Sequence, residues 1–377
     1  MTYKCSPLLA VAGFVAVLAA GGCSMLQQAG EPGPHGATWV SPLARNHPLV
    51  GRIYDVALDR TVTWTELDAA VAAADIVFLG EQHDNADHHR LQARLLEDIV
   101  AAGRRPAVAF EQLDLEDQPA IDDALEAQKD GHEQTVAARA SAVAQAVDWE
   151  HSSWPPFDQY RGIFEVALRA DLPLRAANLS RAAMRGLLSQ ETATARDARP
   201  LCGAAGGQRW RGVPLSDEAR AAMAADIEES HCGYADEHMV ATMTEAQRRR
   251  DDAMASAVVA ALRVSERRLG EAAASASHAG AVDGAPASRP GVVLVCGYGH
   301  ARRDYAAPVY LLHHAPAHRV VSVAVLEVIP GRTTPAEYAA AFHAGRLPFD
   351  YVIFTPRVDN KDPCKKFRGG LEKMKAR

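Results

Sequence analysis

Short apolar runs recur along the chain, and most of them are continuously hydrophobic rather than alternating with polar residues. Continuous runs of this length are typical of β-strands that are covered on both faces, as in a parallel sheet. The pattern predicts six strands, at Asp75–Leu79, Ala107–Phe110, Leu172–Ala177, Val292–Val295, Val320–Leu326 and Tyr351–Phe354.

Helical patterns lie between these runs. Apolar side chains form a stripe along Leu91–Val100, and Gly103 and Pro106 end that helix. Thr63 and Glu66 fit a capping box at the start of an earlier helix. The alternation of strands and helices predicts an α/β fold, in which helices flank a largely parallel central sheet.

The segments between the predicted strands suggest the domain organisation. Residues 120–268 are rich in Ala, Arg, Glu and Gln, which predicts an inserted helical subdomain. Residues 271–290 contain Ala, Ser, Gly and Pro with few bulky side chains, which predicts a flexible loop. We therefore expect residues 46–377 to form one α/β domain that includes both segments.

The amino terminus has the features of a bacterial lipoprotein signal. Lys4 precedes an apolar run, and small residues come directly before Cys23. We expect residues 1–22 to be removed, Cys23 to carry palmitate and residues 23–45 to form a tether. Ser24 favours anchoring in the outer membrane, with the domain facing the periplasm. The alternative is an ordinary signal peptide in which the cysteine is incidental.

Charge and cysteine content narrow the choice of partners. The chain has 377 residues, a net charge of −7 and 48% hydrophobic residues, which argues against nucleic acid and permits a sizeable core. Export makes disulfides feasible, and the pair Cys202–Cys232 is favoured because both cysteines lie in loop-like sequence. Other pairings with Cys296 and Cys364 stay open. The sequence has neither a CxxC motif nor the Cys/His spacing of a zinc site.

Polar and charged residues follow four of the predicted strands at the points where they end. The carboxyl ends of parallel strands meet at one edge of a sheet, and ligands bind there. These residues therefore predict one shared pocket. They are Glu81 and His83 after the first strand, Glu111 after the second, Arg181 after the third, and His300 and Arg302 after the fourth.

Several of these positions have structural alternatives. His88 lies on the apolar stripe and is expected in the core, whereas His89 lies off it and is expected in solvent. A buried Glu111 needs a partner, and Arg181 is the candidate; a surface position is the alternative. Arg302 and the arginine after it could hold an anionic group such as a propionate, with plain solvent exposure as the alternative.

In these motifs the chain resembles the ChaN-like haem-binding lipoproteins, relatives of the TIKI and erythromycin-esterase fold. The resemblance covers nearly all of the mature chain and implies a role in haem uptake. It also implies haem held at the interface of a homodimer, with a tyrosine as iron ligand. The stretches that carry it include Phe78–His83, Phe110–Gln112, Trp154–Pro155, Asn178–Arg181, His231–Gly233, Arg250–Ala255, Gly297–His300 and Asp350–Arg357.

The iron ligand is not fixed by this resemblance. Tyr160 and Tyr305 are the leading candidates, and Tyr234 and Tyr298 stand in matching motifs. Tyrosinate suits ferric iron, and a histidine ring nitrogen can serve as well, so the strand-end histidines are further candidates. The arginines at the strand ends are candidates for the propionates. The candidate haem-binding set is Tyr160, Tyr305, His83, His300, Arg181 and Arg302.

Three functions compete at this point. The preferred one is a haem-binding protein of iron uptake that exchanges haem with an outer-membrane receptor. The alternative is a hydrolase that uses a divalent metal or general-base chemistry at the strand ends, with the set Glu81, His83, Glu111 and His300. The sequence has neither the zincin nor the serine-hydrolase motif. In the third, the polar cluster only stabilises the fold.

Overall fold

A computed structural model describes residues 38–128, 135–192, 213–278, 289–362 and 364–365. The strands in chain order are β1 (Ile53–Asp55), β2 (Arg60–Val62), β3 (Ile76–Glu81), β4 (Ala107–Asp114), β5 (Leu174–Asn178), β6 (Val292–Gly297), β7 (Val320–Glu327) and β8 (Tyr351–Thr355). The helices are α1 (Trp64–Ala73), α2 (Ala86–Ala101), α3 (Gln118–Glu126), α4 (Val136–Ala146), α5 (Phe157–Arg169), α6 (Arg181–Thr192), α7 (Asp217–Ser230), α8 (Glu237–His278) and α9 (Ala307–His314). Short 3-10 segments lie at Leu115–Asp117, Trp149–His151, Tyr298–Ala301 and Pro335–Phe342.

The strands of the described residues form one sheet in the order β2-β1-β8-β7-β3-β6-β4-β5. The six strands from β8 to β5 run parallel, whereas β1 pairs antiparallel with both β8 and β2. All six predicted strands are confirmed, as is the α/β fold. The hairpin of β1 and β2 was not predicted, because strands of three residues leave no periodic signal.

Two hydrophobic cores cover the two faces of the sheet, and β3 contributes to both. Val77 and Leu79 pack in the core that includes residues of α2 and α5, whereas Ile76 and Phe78 pack in the core that includes residues of α8 and α9. Successive side chains of a strand point to opposite faces. A strand covered on both faces must therefore be apolar at every position, which is why the predicted runs do not alternate.

The capping motif predicted for the first helix is present in the structure. The hydroxyl of Thr63 accepts a hydrogen bond from the backbone N–H of Glu66, whose carboxylate accepts one from the backbone N–H of Thr63. The predicted capping box of α1 is therefore confirmed. Helix α8 continues to His278, so the prediction of a flexible loop is wrong for residues 271–278. Residues 279–288 of the predicted loop lie outside the described residues.

The amino-terminal predictions fall largely outside the described residues, which begin at 38. The first described residues are hydrogen-bonded to the domain, because the backbone N–H groups of Val40 and Ser41 donate to the carboxylate of Asp87 at the start of α2. The carboxyl-terminal part of the expected tether, residues 38–45, therefore belongs to the folded domain. Among the described helices, none has the length and apolar character needed to cross a membrane.

The disulfide prediction is wrong. Cys232 bonds to Cys364, 132 residues away in sequence, and Cys296 is a buried free thiol in β6. Cys232 lies in the turn between α7 and α8, and the segment after β8 reaches it through space. The loop-like sequence around Cys232 favoured it as a disulfide partner, but it could not show which segment of the chain packs beside this cysteine. Cys202 lies outside the described residues.

Candidate functional site

Two linked polar networks lie at the carboxyl ends of β3, β4 and β6, as the strand-end pattern predicted. Glu81 is the last residue of β3, Glu111 lies near the end of β4, and His300 stands in the 3-10 turn that follows β6. A Cβ on Gly297 would lie 2.9 Å from Cε1 of His83 and 3.5 Å from a carboxylate oxygen of Glu111. The glycine therefore allows the two networks to approach each other.

Glu81 is the centre of the first network. Its carboxylate is 1% exposed and lies 2.7 Å from Nδ1 of His83 and 3.3 Å from Nε2 of His89. The hydroxyl of Tyr160 donates to it at 3.0 Å and the side-chain amide of Gln112 at 3.3 Å. Four surrounding groups therefore compensate for burying the charge, as a carboxylate removed from water requires.

The protonation of this network follows from its contacts. Burial raises the pKa of Glu81, but the hydrogen bonds from His83 and His89 outweigh it and lower the pKa to about 2. Burial also lowers the pKa of His83, yet the carboxylate of Glu81 and the charge of Glu111 raise it to about 9. Near pH 7 the two side chains therefore form an ion pair.

The second network places His300 between two carboxylates. Its Nδ1 lies 2.7 Å from Asp251 and its Nε2 lies 3.4 Å from Glu111, which also accepts the backbone N–H of Gly297 at 2.7 Å. Burial opposes protonation of the ring, but Glu111 and Asp251 raise the pKa of His300 to about 9. Burial likewise raises the pKa of Glu111, and the charge and hydrogen bond of His300 then hold it well below its usual range.

A cavity of about 840 Å³ adjoins the first network. His83 lines it with a side chain that is 42% exposed, and the ring of Trp154 packs against His83 edge-on with the centroids 4.9 Å apart. Tyr298 and Phe342 contribute further aromatic surface. Charged side chains of both signs complete the lining, with Arg357 3.9 Å from Glu327 and Lys361 3.8 Å from Asp359. The cavity therefore combines an aromatic wall, one imidazole and paired charges.

The two leading tyrosine candidates lie elsewhere. Tyr160 has no exposed surface and donates to Glu81, and Tyr305 is 5% exposed and donates to Asp226. Burial and the adjacent carboxylate raise the pKa of both hydroxyls far above the usual range. Neither hydroxyl can contact an external iron in this conformation. Tyr298, by contrast, lines the cavity.

The arginines predicted for the site make contacts other than those expected. Arg181 does not pair with Glu111 and instead donates to the hydroxyl of Ser153 at 3.0 Å, so that expected pairing is wrong. Arg302 is 2% exposed and is bound by Asp226, by Asp304 and by the carbonyl of Phe342. It is therefore part of the interior and does not present its charge to a ligand in this conformation.

Arg303, the residue after Arg302, forms an ion pair with Asp350 at 2.7 Å.

The two histidines at the start of α2 are both buried. His88 is buried, as expected, and accepts the backbone N–H of Gln82. His89 is 1% exposed, so the expectation that it is solvated is wrong. It lies over the ring of Tyr160 and faces Glu81, because the core surrounds this first turn of α2 on more than one side.

Two side chains of the candidate site were not among the predicted site residues. Asp251 of α8 binds His300, although the sequence places it 140 residues after Glu111. Trp154 stands in an irregular segment before α5 and lines the cavity beside His83. Both lie in stretches that carried the family resemblance, which was the signal available. Within the described ranges, no group of three or more His, Cys, Asp or Glu has an arrangement that could hold a metal ion.

Comparisons with known proteins agree with this architecture. No curated protein matches the chain. A structure of ChaN from Campylobacter jejuni, described as showing cofacial heme binding, superposes with a TM-score of 0.54 and 18% identity over 80% of this chain and 95% of that chain. This likeness shows a shared fold. The type III effector HopBA1 gives a TM-score of 0.34 and 13% identity over 77% of this chain and 92% of that chain, which is too low to support an argument.

A family model provides the broader evidence. The model described as haem-binding uptake, Tiki superfamily, ChaN matches residues 67–311, which is more than half of the chain. The matched region runs from α1 to α9 and contains both polar networks. This chain therefore belongs to the ChaN family of haem-binding uptake proteins in the Tiki superfamily.

Proposed function

We propose that this protein binds haem in the cavity beside His83 and serves in haem uptake. The observation that carries the proposal is the half-exposed imidazole of His83, which lines an aromatic cavity and is oriented by a buried carboxylate. A volume of about 840 Å³ lies within the range of about 300–1,000 Å³ that is typical of cofactor sites. Membership of a haem-binding family supports the same assignment.

The residues present fit haem chemically. The carboxylate of Glu81 binds Nδ1 of His83, which leaves Nε2 as the ring nitrogen for iron. Carboxylates commonly orient metal-binding histidines in this way. The rings of Trp154 and Tyr298 offer apolar faces to a macrocycle. A propionate would have to compete with Asp359 for Lys361, whose side chain is 73% exposed. When bound, haem supplies the iron that is the cargo of uptake.

A haemin titration of the soluble domain tests this assignment. We expect a Soret shift for the wild type, and His83→Ala should weaken haemin binding by at least about tenfold, because it removes the proposed ligand. Iron must replace a proton on Nε2, so affinity should rise between pH 7 and pH 9. His313→Ala on α9 is the matched control, since its exposed ring lies outside the cavity.

The titration also separates the candidate ligands. Unchanged affinity in His83→Ala together with a loss in Tyr298→Phe would move the iron ligand to the tyrosine of the same cavity. Unchanged affinity in both variants would reject this cavity as the haem site. A wild-type protein without any Soret shift would reject haem binding itself.

The membrane role is a further part of the proposal. The signal sequence and Cys23 support anchoring by lipid in the outer membrane, where a haem receptor would be the partner. Cys23→Ser should release the protein from the membrane fraction, and the wild type should give a palmitate-bearing amino-terminal peptide by mass spectrometry. Size-exclusion chromatography with and without haemin tests the expected homodimer.

A second candidate function rests on the Glu111–His300–Asp251 arrangement. A histidine held between two carboxylates is suited to general acid–base work, which favours a hydrolase. The measurement is hydrolysis of p-nitrophenyl esters and of peptides by the wild type and by Asp251→Asn. Equal rates in both proteins, or none in either, would exclude this second function for those substrates.

A further inference from the structure

A second cavity, of about 460 Å³, lies at the carboxyl ends of β4 and β5. Asp114 and Asn178, the paired last residues of these two strands, form its floor. Ser153 and Trp154 line both this cavity and the one that contains His83. The two cavities are therefore neighbours along the same edge of the sheet, separated by the segment before α5.

This second cavity contains polar atoms that lack partners. Oδ1 of Asn178 is buried without a hydrogen bond, and the residue is only 7% exposed. Nε of Arg250, from α8, is buried without an acceptor. Buried polar groups are nearly always hydrogen-bonded, so the unpaired donor of Arg250 indicates a ligand that supplies an acceptor. The unpaired oxygen of Asn178 needs a donor, which a bridging water can supply.

Two guanidinium groups are the donors that this cavity offers to a ligand. Arg250 lies in its wall, and Arg181 lies at its mouth with a hydrogen bond to Ser153. Asp114 is the opposing charge within the lining. Burial and the charges of the neighbouring acidic side chains raise the pKa of Asp114 to about 6, which the two arginines only partly counter. At pH 7 the two arginines therefore face the ionised carboxylate of Asp114, with Glu116 and Asp117 as further negative charges nearby.

We propose that this cavity binds a carboxylate, held by the guanidinium groups of Arg250 and Arg181. Guanidinium groups bind carboxylates with directed, charge-assisted hydrogen bonds. The carboxylate has two sources to distinguish. One is a propionate of haem seated in the neighbouring cavity, and this source rests on the proposed function. The other is a free small dicarboxylate, and this source does not.

Calorimetry with succinate and Soret titration with haemin and haemin dimethyl ester distinguish these sources. The ester keeps the macrocycle but lacks the propionate charges. Arg250→Gln should weaken the binding of whichever carboxylate is the ligand by about tenfold, because it removes a charged donor. Asp114→Asn should strengthen that binding several-fold, because it removes a repelling charge, and misfolding cannot produce such a gain. Arg185→Gln, an equal charge change on the exposed face of α6, should have no effect.

Each outcome decides the inference. Succinate binding that Arg250→Gln weakens supports the free carboxylate, and a preference for haemin over its ester that Arg250→Gln abolishes supports the propionate. The inference is overturned if succinate does not bind and Arg250→Gln leaves haemin binding unchanged. A wild type that binds neither form of haem refutes the proposed function, and the succinate measurement then decides the inference alone.

Discussion

Replacing Glu81 by glutamine is the sharpest perturbation of this site. The carboxylate is 1% exposed and faces His83, His89 and Tyr160, so the substitution keeps the shape and removes one buried charge. The neutral amide of the variant imitates the protonated form of the native side chain. The cost of the substitution can therefore be worked from the titration of Glu81 itself.

The magnitude follows from linkage. A carboxyl whose pKa falls from 4.5 to about 2 on folding stabilises the native state by about 3 kcal/mol at neutral pH. The raised pKa of His83 reports the same interaction, so it is not counted again. The side chain of His83 is 42% exposed, and solvent screening reduces the expected loss to about 2 kcal/mol.

The pH dependence has a definite sign. The depressed pKa of Glu81 gives stability that is present above pH 4.5 and is lost as the pH falls towards 2. The raised pKa of His83 gives stability that is complete below pH 6.5 and is lost as the pH rises through about 9. The difference between the wild type and Glu81→Gln should therefore be largest between pH 4.5 and pH 6.5.

Urea unfolding at pH 5.5, 7.5 and 9.5 measures this difference, and the titration of the His83 ring by NMR measures its cause. In the variant the pKa of His83 should fall well below 9. Glu97→Gln is the control, because that side chain is 58% exposed on α2 and should give no pH-dependent loss. A loss below about 0.5 kcal/mol at pH 5.5, or one that is equal at pH 5.5 and pH 9.5, would refute the electrostatic reasoning.

Three further predictions concern the rest of the fold. Burial and a nearby carboxylate raise the pKa of Asp68 to about 6, so the ionised form destabilises the fold as the pH rises from 3.8 through 6. Asp68→Asn should therefore raise the unfolding free energy by about 1 kcal/mol at pH 7.5 in urea titrations, with no gain below pH 4. Removing the Cys232–Cys364 disulfide with a double serine variant should cost about 2–5 kcal/mol, and a reductant should destabilise the wild type but not the variant. A Cβ at Gly80 would meet backbone of the turn after β6 at 2.8 Å, so Gly80→Ala should lower the stability by about 3 kcal/mol. Gly186→Ala, with open space in α6, should leave the melting temperature unchanged or raise it.

Much of the site could be predicted because strand ends are encoded locally. A strand buried on both faces leaves a run of apolar residues, and the first polar side chains after it mark the edge of the sheet. Glu81, Glu111 and His300 were identified in this way and lie together in the structure. The sequence therefore predicted which charged side chains lie at this edge of the sheet.

The hydrogen-bond and ion-pair partners of the site residues could not be predicted from the sequence, because they depend on contacts between distant segments of the chain. Arg302 was expected to face a ligand, but Asp226 and Asp304 enclose it. Tyr160 was expected to bind iron, but it donates to a carboxylate 79 residues earlier in the chain. An arginine or a tyrosine gives the same sequence pattern whether its side chain points to a ligand or to an interior partner.

The hydrophobic pattern by itself determined the six main strands, the α/β fold and the strand ends at which the chemistry lies. Only the tertiary structure decided that Asp251 of α8 meets His300 and that the segment after β8 reaches Cys232. The physical reason is that periodicity records which face of an element is buried, a local property. Hydrogen bonds, ion pairs and disulfides join whatever the packing of those faces brings within a few ångströms, and no local pattern specifies that.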